Sequence, residues 1–242
     1  MKSSWAESNR RNSVVMHMAR TLAIGDIHGC LTALDTLLDF VALTPLDQLI
    51  FLGDYVDRGP DSRGVIERVI ALNLTDQVTC LRGNHEVMMR AAVDDWESLR
   101  FWLACGGLAA LYSYQTETNP PTLESVPPGH WHFLNHTCVD WHETANHVFV
   151  HANLKPDLAL ADQPSEWLHW QPLDSATHVP NLSGKTMICG HSEQQTGLPL
   201  VLERAICIDT WAYGQGWLTC LDVDRGEYWQ SNQLGETRKG SL

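Results

Sequence analysis

The sequence predicts an α/β fold, and three observations carry that expectation. A short apolar run, a polar turn and a helix-spaced apolar stripe follow one another three times in the first half of the chain. That order is the signature of alternating strands and helices around a mostly parallel sheet. The most polar, chemistry-bearing clusters fall where the apolar runs end, which is where such sheets gather functional groups.

Thr21 to Ile24 is the first apolar run and ends in Gly25-Asp26. Leu31, Leu34, Leu37, Leu38 and Val41 follow, spaced as one face of a helix. Leu49 to Leu52 is the second run, ending in Gly53-Asp54, and Val65, Ile66, Val69 and Ile70 form the second stripe. Val78 to Leu81 is the third, ending in Arg82-Gly83-Asn84-His85. Residues 86–105 read as a helix stopped by Gly106-Gly107.

Residues 113–130, rich in Thr, Pro and Gly, read as a long exposed loop. Beyond it the chain is mostly β, with strands expected at 138–143, 147–151, 186–189, 199–203, 205–209, 216–222 and 226–230. One domain is expected over 20–232, because neither half holds a full set of candidate ligands. It is flanked by a flexible N-terminal tail at 1–19 and a flexible C-terminal tail at 233–242.

Composition narrows the function. At 44% hydrophobic and 19% charged residues the chain is globular, and 242 residues suffice for a sizeable core. No apolar run approaches the ~20 residues of a spanning helix. The first twenty residues lack the apolar segment of a signal peptide, so a cytoplasmic location is expected. Seven cysteines without a CxxC pair signal neither a disulfide framework nor a structural zinc site. Cys189 stands two residues before His191 and reads as core packing. A net charge of −13 argues against a nucleic-acid duplex as partner. It leaves phosphorylated substrates open, because bound divalent ions invert the local field of clustered acids.

Three clusters carry the chemistry: Gly25-Asp26-Ile27-His28-Gly29, Gly53-Asp54-Tyr55-Val56-Asp57-Arg58-Gly59, and Gly83-Asn84-His85-Glu86. His151 closes the apolar run Val148-Phe149-Val150, and His191 follows Met187-Ile188-Cys189-Gly190. One histidine after a strand is usually an ordinary half-buried side chain. Five strand-end clusters of oxygen and nitrogen donors point instead to a metal centre.

In order and spacing these motifs resemble the calcineurin-like metallophosphoesterase superfamily, in particular its phosphoprotein phosphatase branch and bacterial members, over about residues 20–230. The resemblance implies a four-layer αββα sandwich of two mixed sheets flanked by helices. It implies two divalent metal ions, Mn²⁺ first and Fe or Zn²⁺ as alternatives, with a bridging hydroxide as nucleophile. Asp26 and His28 would bind the first ion, Asp54 would bridge, and Asn84, His151 and His191 would complete the second site. His85 would stay off the metals as general acid, oriented by Asp57, while Arg58, with Asn84 and His85, would hold the phosphate. A planar guanidinium suits that task because its fork matches two phosphate oxygens. Arg82 is expected to support its loop from behind, and Glu86 to cap or brace the following helix.

The chain departs from the family pattern in three places. Residues 152–190 contain no arginine where many relatives carry a second phosphate ligand, only Lys155 and Lys185. Glu193 follows Gly190-His191-Ser192 where relatives often have Pro or an uncharged residue, and the bulky Trp211 follows Asp209-Thr210 where a small residue is common. Trp167, Trp170 and Trp211 are expected near the substrate mouth. The leading expectation is a serine/threonine protein phosphatase-like phosphomonoesterase acting on a phosphorylated protein or small phosphate ester. The alternative is a symmetrical bis(5′-nucleosyl)-tetraphosphatase. A third reading, an inactive metal-stabilised binding module, sits poorly with a complete ligand set.

Overall fold

The computed structural model describes residues 19–75 and 77–242, so the expected N-terminal tail lies outside the described residues except for Ala19. Two mixed β-sheets pack face to face. The first has six strands in the order β11-β10-β9-β1-β2-β3, built from β1 (Thr21–Ile24), β2 (Gln48–Phe51), β3 (Val78–Cys80), β9 (Leu218–Asp222), β10 (Glu227–Ser231) and β11 (Thr237–Ser241). The second has five in the order β4-β5-β6-β8-β7: β4 (Trp141–Glu143), β5 (His147–Val150), β6 (Thr186–Cys189), β7 (Leu200–Leu202) and β8 (Ala205–Cys207). β1, β2 and β3 run parallel, as do β5, β6 and β8. Their carboxyl ends therefore present loops at a common edge of each sheet.

Alternation along each strand explains the layering. Ala23, Ile50 and Leu52 of the first sheet face Phe149, Ile188 and Ile206 of the second in one inner core. Their neighbours Leu22, Ile24, Leu49 and Phe51 point the other way, into the core under the helices. α1 (Leu31–Val41) and α2 (Ser62–Leu72) cover that outer face, burying Leu34, Leu37, Leu38, Val65, Ile66 and Val69. Behind the second sheet, Val148, Val150, Met187 and Cys189 pack against Leu154, Leu168 and Leu173. The only helical cover there among the described residues is the short α7 (Ser165–His169) with a 3₁₀ turn at Leu160–Asp162. Cys189 is thus a core residue, as its apolar neighbours suggested.

Three expectations change. The helix expected over 86–105 is divided into α3 (Asn84–Ala91) and α4 (Trp96–Trp102), and the chain then runs through a π turn at Leu103–Gly107 into α5 (Leu108–Ser113). Asp95 makes the break, its carboxylate accepting the N–H groups of Glu97 and Ser98. Gly106, at φ 115, kinks the path rather than ending it, and its carbonyl accepts the Arg58 N–H at 3.2 Å. The 113–130 stretch is loop only in part, since Leu123–Ser125 forms a 3₁₀ turn and α6 spans Pro128–His132.

The C-terminal tail expected to be flexible is instead β11, paired antiparallel with β10 from Thr237↔Ser231 to Ser241↔Glu227. Cross-strand polar contacts hold this edge: Arg238 Nε donates to Gln230 Oε1 at 2.6 Å, and Lys239 Nζ meets Glu227 at 3.1 Å while lying over the Trp229 ring. No helix among the described residues is long and apolar enough to cross a membrane.

Candidate active site

The loops after β1, β2, β3, β5 and β6 bring Asp26, His28, Asp54, Asn84, His85, His151 and His191 together, all but His191 buried. Close approach of these loops requires glycine at two positions. A Cβ on Gly83 would collide with Asp54 Oδ1, and one on Gly190 with Asp26 Oδ1. Backbone strain is concentrated here. His28, Asp54, Asp57, Arg58, His191 and Trp211 all take left-handed φ values between 47° and 74°. Such conformations are costly for side-chain-bearing residues and cluster where function over-determines the backbone.

Three histidines are locked by backbone carbonyls. His28 Nδ1 donates to Val56 O at 2.9 Å, His151 Nδ1 to Leu52 O at 2.9 Å, and His191 Nε2 to Trp170 O at 3.1 Å. Each bond fixes the tautomer and leaves the other nitrogen as a lone pair. Burial pushes all three rings below the ordinary histidine pKa, His151 to about 3, which keeps them neutral. The free lone pairs converge on oxygens. His28 Nε2 lies 3.4 Å from Asp54 Oδ2, while His151 Nε2 and His191 Nδ1 lie 2.9 and 3.1 Å from Asn84 Oδ1.

A cation between them would satisfy acceptors aimed at acceptors in a buried site. Donor atoms of His28, Asp54 and His85 lie within 4.8 Å of one another, as do those of Asp54, His151 and His191, so Asp54 is common to both groups. Burial opposes ionisation of Asp54, but His151, His85, His28 and His191 outweigh it and hold the carboxyl below its usual range. Asp26 stands beside these groups rather than in them. Its Oδ2 accepts the His191 N–H at 2.9 Å, and its buried Oδ1 has no partner. The residues thus fit divalent ions, which would satisfy the orphaned oxygen and the converging lone pairs at once.

His85 is electrostatically different. Burial alone would lower its pKa, yet Asp54 and Asp57 raise it. Its Nδ1 donates to Asp57 Oδ2 at 2.6 Å, and Trp102 Nε1 donates to the same oxygen at 2.8 Å. Arg58 is exposed at the rim, with Nη1 3.0 Å from His28 Nε2 and its guanidinium 4.7 Å above the Tyr213 ring.

The supports are visible. Glu86 accepts the N–H groups of Asp54 and Tyr55 at 2.8 Å, Val56 at 3.3 Å and Gly83 at 2.8 Å. It therefore ties the β2 and β3 loops together in addition to capping α3. Arg82 pairs with Asp140 and donates to Cys138 O from behind, as expected. Of the three tryptophans expected at the mouth, Trp211 packs edge-on against Tyr213 and Trp170 contributes its carbonyl to His191. Trp167 instead lines a separate groove with Asn153, Pro172 and His178. Sequence reasoning missed Trp102 and Tyr213. The spacing of Trp102 on α4 gave no sign that it reaches Asp57.

A profile of calcineurin-like phosphoesterases matches residues 19–202. The chain belongs to the calcineurin-like phosphoesterase family. A symmetrical bis(5′-nucleosyl)-tetraphosphatase of Janthinobacterium sp. is 31% identical over 149 residues, 58% of this chain and 46% of that protein. The chain thus matches less than half the length of such curated relatives. Among solved structures, a protein proposed to be a diadenosine tetraphosphatase superposes with TM-score 0.63 at 20% identity, covering 92% of this chain and 93% of that one. A Saccharomyces cerevisiae protein serine/threonine phosphatase gives TM-score 0.57 at 15% identity, covering 84% and 73%. At these identities the structural likenesses establish the fold of this calcineurin-like phosphoesterase and nothing finer.

Proposed function

We propose that this phosphoesterase hydrolyses phosphate monoesters at a dinuclear metal site, with phosphoserine or phosphothreonine in a protein as the typical substrate. The observation that carries the reading is the convergence of three tautomer-locked histidine lone pairs on Asp54 and Asn84. Asp26, His28 and Asp54 would hold one ion, and Asp54, Asn84, His151 and His191 would hold the other. Mn²⁺ suits this oxygen and nitrogen set, as do Fe and Zn²⁺. When bound, two such ions supply Lewis acidity at the phosphate oxygens and a nucleophile at neutral pH.

The chain's own groups do the rest. Asp54, common to both donor groups, would give the anionic oxygen that offsets the repulsion between two cations. Arg58 grips the phosphate with its fork, assisted by Asn84 and His85. His85, kept protonated by Asp57, donates its Nε2 proton to the leaving oxygen, a contribution of about 10²–10⁴ in rate.

Hydrolysis of dinucleoside tetraphosphates is the second reading, favoured by the names of the curated relatives. A panel of phosphopeptides, nitrophenyl phosphate, nucleotides and diadenosine tetraphosphate on the Mn²⁺-loaded protein tests both. Turnover of phosphopeptides above the tetraphosphate supports the first reading. The reverse order replaces it with the second, and turnover of nothing in the panel sinks both.

A further inference from the structure

Beside Arg58 stands a carboxylate held with unusual care. Tyr213 donates its phenol to Glu193 Oε2, and Gln195 Nε2 donates to Glu193 Oε1 at 2.9 Å. Both donors are neutral, so neither bond cancels the charge. The Tyr213 ring that holds Glu193 also stacks on the Arg58 guanidinium at 4.7 Å and meets His28 edge-on at 5.1 Å. The loop presenting Tyr213 is closed on itself. Gly214 and Gly216 both donate to Trp211 O, and Gln194 N donates to Asp209 O, joining it to the segment that carries Glu193. The result is a fixed, half-buried anion one aromatic ring away from the candidate phosphate-binding cation.

On the reading that Arg58 receives the scissile phosphate, we propose that Glu193 is a specificity-determining residue. It admits a single phosphoryl group, flanked by a neutral or hydrogen-bond-donating moiety, and rejects a polyphosphate chain. The physical reason is charge. A monoester places its dianion at Arg58 and continues with an uncharged substituent. Each further phosphate would add a negative group near the carboxylate that Tyr213 and Gln195 hydrogen-bond. A phosphate brought against a half-buried carboxylate is repelled enough to change affinity by about one or two orders of magnitude. Residues 152–190 supply no arginine to offset this, and of the two lysines there, Lys155 and Lys185, the second is committed to Glu143 at 2.6 Å.

The test compares the wild type with Glu193→Gln and Glu193→Lys, all loaded with excess Mn²⁺. Two readouts are taken: kcat/KM for nitrophenyl phosphate and diadenosine tetraphosphate, and calorimetric Kd for orthophosphate and pyrophosphate. The proposal expects the ratio of tetraphosphate to monoester kcat/KM to rise about tenfold in Glu193→Gln and about a hundredfold in Glu193→Lys. Pyrophosphate should tighten relative to orthophosphate in the same order. Equal effects on both members of each pair, or no effect, overturn it and mark Glu193 as merely structural. The Kd pair needs no turnover, so a protein inactive on every ester would sink the enzyme reading while still deciding the role of Glu193.

Discussion

His85 Nδ1 and Asp57 Oδ2 lie 2.6 Å apart in a buried pocket, and Trp102 caps the same carboxylate oxygen. Asp54 and Asp57 raise the pKa of His85 against the effect of its burial, whereas burial lowers those of His28, His151 and His191 around it. His85→Asn should retain metal but lose about 10²–10⁴ in kcat on alkyl phosphates. The loss should shrink on nitrophenyl phosphate, whose leaving group needs no proton. Steady-state kinetics across leaving groups checks this, and an equal loss on all of them rules out proton donation.

Trp102→Phe removes one donor from Asp57 and keeps the buried ring. It should lower kcat by roughly tenfold, the low end of the about 1–3 kcal/mol that a lost hydrogen bond to a buried group costs. Metal content, read by elemental analysis, should not change. Loss of metal along with activity would show that Trp102 supports the whole loop instead of Asp57.

Asp54 is the one side chain shared by both ligand groups. Asp54→Asn keeps the shape and deletes the charge that offsets repulsion between two cations. Metal affinity should fall by more than the roughly 10–100-fold that an outer hydrogen-bond partner costs. Activity should fall with it. Two tightly bound ions and full turnover in this variant would refute the bridging role.

The three Gly-Asp or Gly-Asn turns were legible because each closes an apolar run, and β1, β2 and β3 appear where periodicity puts them. β11 was not, because its burial alternates between exposed and half-buried and Thr-Arg-Lys-Gly-Ser carries no apolar stripe. An edge strand protected by charge reads as a tail. In the site, the donor-bearing residues that come together could be read from sequence, but the tautomer locks could not. Leu52, Val56 and Trp170 contribute only carbonyls, which any residue type could supply. Trp102 to Asp57 spans 45 positions, and Tyr213 to Glu193 spans 20, so local spacing holds no trace of either contact.

Asp47 gives a pH prediction away from the site. Burial would raise its pKa, but Arg20 and Thr44 outweigh it and bring it down to about 2. Arg20 Nη2 meets Oδ2 at 2.6 Å, Nε meets Oδ1 at 3.0 Å, and Thr44 N donates at 2.7 Å. A carboxyl whose pKa is depressed on folding stabilises above its unfolded value of about 3.9 and ceases to as pH falls toward the folded value. At about 1.4 kcal/mol per pH unit the contribution is about 2.5 kcal/mol. Asp47→Asn should be less stable than wild type by about that amount at pH 6. The gap should narrow between pH 4 and pH 2, as measured by urea unfolding at each pH.

Gly190 offers a test of the site through packing alone. It sits between β6 and His191, and a Cβ there would strike Asp26 Oδ1, the buried carboxylate oxygen without a partner. Because neither the β6 backbone nor the β1 loop can retreat without shifting His191 or His28, Gly190→Ala must displace Asp26. Metal affinity should drop while far-UV circular dichroism stays native, and Tm should fall by several degrees. Gly129→Ala is the control: it lies in α6 with nothing within 4 Å of an added Cβ. There alanine's helix preference, worth up to about 1 kcal/mol, should hold or raise Tm without touching metal binding. If Gly190→Ala binds metal as the wild type does, Asp26 has no part in holding it.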